Sequence, residues 1–154
     1  MQMTSYRSFK VKELHVRFRA TRYTSPGKIT CPQDIHDLVA PMVKGVPRER
    51  LISIALDSPH NIVGFEIVSQ GTSDTALATP REILKAVLLT NSSAFVVAHN
   101  HPSGNCEPSL EDRQIAKRIA EAAAILDIQL LDFVIVTDAE LYSFAQSDPA
   151  AINK

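Results

Sequence analysis

The apolar positions of this chain switch repeatedly between a period of two and a period near 3.6, and each switch marks a predicted element. Leu14, Val16, Phe18 and Ala20 alternate with His15, Arg17, Arg19 and Thr21, which predicts a half-buried strand with a basic outer face. A turn follows over residues 24–27. Thr30 is placed to cap a short helix over 33–40 that buries Ile35, Leu38 and Val39, with Pro41 as its end. Residues 51–56 and 62–68 are β-rich runs around a turn at 57–61, an antiparallel hairpin with Gly64 as a candidate bulge. After a break at 71–74, Thr79, Pro80 and Glu82 form a capping box that opens a helix to about Leu89, with Ile83, Ala86 and Val87 on one face.

Residues 94–98 form a short buried strand, and a second capping box, Ser109 to Asp112, opens a helix to about Leu126. The buried stripe of that helix is Ile115, Ile119, Ala122 and Leu126. Strands at 130–136 and 141–144 close the pattern, and the tail from Gln146 reads as frayed. The order β-α-β-β-α-β-α-β-β predicts an α/β fold, a single domain with a mixed β-sheet flanked by helices.

Composition changes this picture in one place. The 154 residues amount to one domain, and 45% hydrophobic and 21% charged residues are ordinary for a globular chain. The net charge of −1 is unevenly spread: residues 1–30 carry Arg7, Lys10, Lys12, Arg17, Arg19, Arg22 and Lys28 against Glu13 alone. Such a basic arm on an acidic body suits weak nucleic-acid contact, or packing on its own or another subunit, as in a homodimer. The two cysteines, Cys31 and Cys106, lie far apart, no apolar run approaches a membrane span, and no signal-peptide core opens the chain. The expectation is a cytoplasmic protein with reduced thiols and no membrane contact.

The chemistry concentrates in fourteen residues. His99-Asn100-His101-Pro102-Ser103-Gly104, then Ser109 and Asp112, write the pattern H-x-H-x₇-S-x₂-D. In extended chain, alternate side chains share a side, so His99 and His101 project together while Asn100 projects away. The Pro-Ser-Gly turn reverses the chain, and Asp112 returns in the first turn of the next helix. Two histidines and a carboxylate with one open position are the ligand set of a catalytic Zn²⁺ site, which supplies hydroxide near neutral pH. Ser109, three residues before Asp112, caps the helix and is placed to donate to an oxyanion. A (β/α)₈ barrel with H-x-H needs ~250 residues, a double-stranded β-helix lacks a helix opening at the aspartate, and a zinc deaminase needs H-x-E with P-C-x-x-C.

The pattern resembles the JAMM motif of MPN-type zinc metalloproteases, and the fuller string resembles the bacterial RadC family. Thr79-Pro80-Arg81-Glu82-Ile83 is similar to that family's H-P-R-E-hydrophobic segment, residues 131–136 to its L-D-H-hydrophobic strand, and Tyr142-Ser143-Phe144 to its last strand. The resemblance implies a MPN-type, cytidine-deaminase-like domain over residues 30–146, between a basic arm at 1–29 and a flexible tail at 147–154. It implies a zinc-dependent hydrolase of amide or isopeptide bonds acting on a protein or peptide, with His99, His101 and Asp112 on the metal. It also implies an upstream glutamate as general base. Glu49, Glu66 and Glu82 are available; Glu82 is engaged by its capping box, and Glu49, at the entry to the first core strand, stands where the family places its glutamate. Thr79 and Phe133 replace two flanking histidines outside the metal motif. Residues 1–29 do not match the helix-hairpin-helix region of longer relatives; the alternative reading, a DNA-repair or DNA-associated accessory role, rests on the basic arm. Cys106, between the ligands, is a bystander or, as a thiolate, an occupant of the open metal position.

Overall fold

The computed structural model describes residues 11–71 and 78–152, so part of the basic arm and most of the expected break at 71–74 lie outside the described residues. The sheet has five strands in the order β2-β1-β3-β4-β5. They are β1 (Glu49–Leu56), β2 (Ile62–Gly71), β3 (Ala94–Asn100), β4 (Gln129–Val136) and β5 (Leu141–Ser143). Strand β1 runs antiparallel to both β2 and β3, β3 is parallel to β4, and β5 is antiparallel to β4. The expected mixed sheet is the fold.

Alternation along the strands sorts side chains into two cores. Leu51, Ala55, Phe95, Val97, Phe133 and Ile135 face helices α2 (Pro80–Leu89) and α3 (Leu110–Ile125). Ile52, Ile54, Val96, Ala98, Val134 and Val136 face helix α1 (Pro32–Val43). Strand β3 is therefore buried at every residue, which is why it reads as a continuous apolar run rather than an alternating one. Parallel strands need a crossover, and α3 supplies it. The C-terminal end of β3, the N-terminal end of β1 and the N-terminus of α3 consequently meet at one edge of the sheet.

Helix α1 starts on Asp34, whose carboxylate accepts the hydroxyl and amide of Thr30 (both 2.7 Å) and the amide of Cys31 (3.0 Å). These bonds, led by the Thr30 hydroxyl, hold the Asp34 carboxyl below its ordinary value. Cys31, not Thr30, is thus the residue before the helix. Pro41 does not end the helix either: it sits exposed in the last turn, removes only the bond to the Asp37 carbonyl, and lets Met42 and Val43 bury. The capping box of α2 forms as expected, with Glu82 accepting the amide and hydroxyl of Thr79 at 2.8 and 2.9 Å. Gly64 lies beside one of two register shifts in the β1–β2 pairing.

Other expectations are corrected. Residues 14–20 form no strand; Val11, Leu14 and Phe18 are largely exposed, and Phe18 lies against Gly64 without joining the ladder. Alternation there specified an extended chain but no hydrogen-bonding partner. Leu126 is exposed beyond the end of α3, while Ala116, Ala120 and Ala123 take the buried stripe. Phe144 opens a short helix, α4 (Phe144–Ser147), instead of ending a strand. The expected frayed tail is packed as far as Ile152, which is buried after a 3₁₀ turn (Pro149–Ala151).

Three groups of contacts fasten that segment. The Phe144 ring meets Phe133 and Tyr142 edge-on at 5.4 and 5.2 Å. The Arg113 guanidinium lies over it at 5.9 Å and pairs with Asp148 at 2.9 Å. Buried Asp132 accepts from the Ser143 hydroxyl and the Ala145 amide; burial pushes its carboxyl up although these bonds oppose the shift. Among the described residues no helix is long and apolar enough to cross a membrane. Because Ile152 anchors the tail in the core, Ile152→Ala is expected to cost about 2–5 kcal/mol in urea unfolding, against under about 0.5 kcal/mol for a residue in a frayed end.

Candidate metal centre

Register explains why distant residues meet. Leu51 pairs with His99, so carrying the antiparallel register on by two residues brings Glu49 opposite His101. Glu49, Leu51 and His99 share the face toward α3. Asp112 is the third residue of α3, and the Ser109 cap sets where that helix begins. The Ser109 amide and hydroxyl both donate to Asp112 Oδ2 at 2.8 Å, and the Asp112 amide donates back to Ser109 Oγ at 3.0 Å.

The hydrogen bonds also set the imidazole tautomers. His99 Nδ1 lies 2.8 Å from Asp112 Oδ1, and His101 Nδ1 lies 2.9 Å from the carbonyl of Asn105. A carbonyl and a carboxylate can only accept, so both Nδ1 atoms carry the hydrogen. This leaves the two Nε2 atoms as the metal-facing positions. His99 Nε2 is buried without a hydrogen-bond partner, 3.5 Å from Glu49 Oε2. His101 Nε2 lies 3.3 Å from Asp112 Oδ2. The rings are 4.9 Å apart and perpendicular.

Glu49, His99 and His101 each offer a ligand atom within 4.8 Å of the others, a group able to hold a metal ion. An orphaned buried imidazole nitrogen beside a second imidazole and a carboxylate suits a divalent ion with a preference for nitrogen and oxygen, and Zn²⁺ fits that donor set. Asp112 meets the site differently from a simple third ligand: one oxygen orients His99 from behind, and the other reaches the Nε2 side at His101. The remaining glutamates stand elsewhere, Glu66 paired with Lys85 at 2.6 Å and Glu82 in its capping box. Cys106 turns away from the imidazoles toward Glu140, at 3.6 Å, and burial followed by that carboxylate pushes its thiol up, which disfavours the thiolate a metal needs. Phe133 is core. The Asn105 carbonyl was not legible in the sequence, because a backbone acceptor leaves no side-chain signal. A cavity of about 250 Å³ lined by Val43, Val46, Pro47, Asn100, His101 and Asp138 adjoins the site.

Electrostatically the site is built around the buried Asp112 carboxylate and the two imidazoles beside it. Burial would raise the Asp112 carboxyl, but the hydrogen bonds from His101, His99 and Ser109 outweigh it and hold the group far below the carboxylate range. The Asp112 hydrogen bond raises His101 above its ordinary value, against the effect of burial.

The family model described as a RadC-like JAB domain matches residues 29–149. A UPF0758 protein of Pseudomonas fluorescens is 37% identical over 136 residues, 88% of this chain and 61% of the relative. One of Chromohalobacter salexigens is 38% identical over 118 residues, 77% of this chain and 53% of the relative, and one of Aliivibrio fischeri is 36% identical over 136 residues, with 88% and 61% covered. The chain thus spans less than two thirds of the length of these curated relatives.

The pKa directions fix the sign of a pH effect. A raised His101 stabilises the metal-free fold fully below the ordinary histidine value, and this contribution is lost as pH rises through the raised value. The depressed Asp112 contributes above the ordinary carboxylate value and loses that contribution as pH falls below it. Metal must displace the His101 proton, so Zn²⁺ or Co²⁺ affinity is expected to rise between about pH 6 and pH 8 in titrations of the purified chain. In NMR titrations of metal-free protein, Asp112→Asn is expected to lower the His101 midpoint.

Proposed function

The chain belongs to the RadC-like JAB-domain family, and from that premise we propose that it is a zinc-dependent hydrolase of amide or isopeptide bonds in a protein or peptide substrate. One observation carries the reading: His99 Nε2, buried and without a hydrogen-bond partner, faces a second imidazole and the Glu49 carboxylate at the sheet edge. A buried polar nitrogen left unsatisfied is costly, and a bound cation satisfies it.

In this reading His99 and His101, through Nε2, and Asp112, through a carboxylate oxygen, would hold Zn²⁺, which when bound supplies a strongly acidified water at neutral pH. Glu49 is the proton carrier. Its side chain is 43% exposed, against 1% for Asp112, so it exchanges protons with solvent and reaches both the attacking water and the leaving amine. Ser109 holds Asp112, and its hydroxyl is the donor that this reading assigns to the oxyanion on the substrate carbonyl. Substrate lies along the cavity beside His101.

The purified chain is expected to bind one zinc, lost in His99→Ala and Asp112→Ala. Glu49→Gln should keep the metal and slow cleavage of a peptide library by about 10²- to 10⁴-fold. Ser109→Ala at saturating zinc should cost about 10²- to 10³-fold. Loss of zinc in Glu49→Gln would make Glu49 a ligand and remove it as base. A zinc-loaded wild type that cleaves no amide or isopeptide bond would sink the activity.

A further inference from the structure

The residue between the two histidines has no part in the metal group, yet it makes the contacts that bear most directly on Glu49. Asn100 is 4% exposed. Its Oδ1 accepts the amide of Arg50 at 2.7 Å, and its Nδ2 donates to the carbonyl of Arg48 at 3.2 Å. The carbonyl of Arg48 belongs to the peptide before the Glu49 Cα, and the amide of Arg50 belongs to the peptide after it. One side chain therefore pins both peptide planes that flank Glu49, and with them the two backbone dihedrals that aim its Cβ.

The backbone shows why a side chain does this. On a strand, the carbonyl of residue 48 and the amide of residue 50 point the same way, here toward β3, while Glu49 itself pairs on the other side with Gly71 of β2. The backbone ladder between β1 and β3 ends at Leu51 and His99. Beyond it His101 donates its amide to Val136 of β4 at 3.1 Å, and the Asn100 amide group takes the place of the β3 backbone as partner of β1. An asparagine amide supplies both a donor and an acceptor without a charge, and Asn100 uses both here. The Arg50 guanidinium adds a bond from Nη1 to the Met42 carbonyl at 2.8 Å, anchoring the same strand end to α1.

We propose that Asn100 is a positioning residue that fixes Glu49 against His99 by clamping the peptides on either side of it. The proposal rests on the hydrolase reading above for its effect on rate, but the clamp itself does not need that reading. Asn100→Ala is expected to keep one zinc per chain and to lower kcat by about 10- to 100-fold, as expected for a reacting group displaced by about 1 Å. In the Glu49→Gln background the same substitution is expected to cost less than about 2-fold, because its effect runs through Glu49. Asn100→Asp, which keeps the acceptor for Arg50 and loses the donor to Arg48, is expected to fall between wild type and Asn100→Ala.

Amide hydrogen exchange on the zinc-loaded chain gives a readout independent of turnover. The Arg50 amide is expected to be protected in wild type, to exchange at least about 10-fold faster in Asn100→Ala, and to stay protected in Asn100→Asp. Unchanged Arg50 exchange in Asn100→Ala overturns the proposal, as do zinc loss in both variants or a full additive rate loss in the double mutant. An inactive wild type with the expected Arg50 exchange pattern refutes the hydrolase reading and leaves the clamp standing.

Discussion

The site depends on a buried negative charge at the start of α3. Asp112 is 1% exposed, and burying a lone carboxylate costs several kcal/mol unless charge and hydrogen bonds offset it. Here the offset comes from the Ser109 amide and hydroxyl, from His99 and from His101, with the positive end of the α3 dipole behind them. Each compensating contact does a second job. The serine contact fixes where the helix begins, the His99 contact fixes a tautomer and a ring plane, and the His101 contact raises the proton affinity that a metal must overcome. Removing the carboxylate would release all three at once, which is why the capping box and the metal chemistry cannot be separated here.

Sheet topology brings the other components to this charge. A parallel β3–β4 pair requires the α3 crossover, and the crossover returns a helix N-terminus to the end of β3. The antiparallel β1 brings its own beginning to the same edge, so a residue fifty positions upstream arrives opposite His101. Two layers of helix, α1 on one face and α2 with α3 on the other, then bury β3 along its whole length.

What the sequence made legible follows from this. The two helix starts with a capping box, at Thr79 and Ser109, and the strands with a strong period were readable, and so was the candidate cluster of His99, His101, Ser109 and Asp112, because all four lie within one short loop and its flanks. Glu49 was legible only through family resemblance, since nothing local in Arg48-Glu49-Arg50 distinguishes a solvated turn from a strand entry. Register decides that, and register is a long-range property. The basic arm failed for a related reason: alternation at Leu14, Val16 and Phe18 describes a chain ready to pair, and pairing needs a free ladder in the right place. Pro41 and the tail failed because burial of Met42, Val43, Phe144 and Ile152 overrode local signals that read as breaks. Asn100 was read as projecting away from the histidines. Its hydrogen bonds run sideways, to the backbone of a neighbouring strand, a direction that alternation does not describe.

Two carboxylates with different surroundings share this site, and the surroundings argue for different roles. Asp112 has a short side chain, is closed off from solvent and is saturated with donors, so its charge is permanent and its position rigid. Glu49 has a longer side chain with 43% exposure, and its carboxylate lies 3.5 Å from His99 Nε2. The proton-carrying role proposed for Glu49 needs access to water, and its exposure supplies that. Such freedom carries a geometric cost, because a lightly held side chain samples unproductive positions. Fixing its backbone from both sides, as Asn100 does, confines the carboxylate without adding a donor that would lower its basicity. The permanent charge is thus secured through its own oxygens, and the working charge through the peptides that carry it.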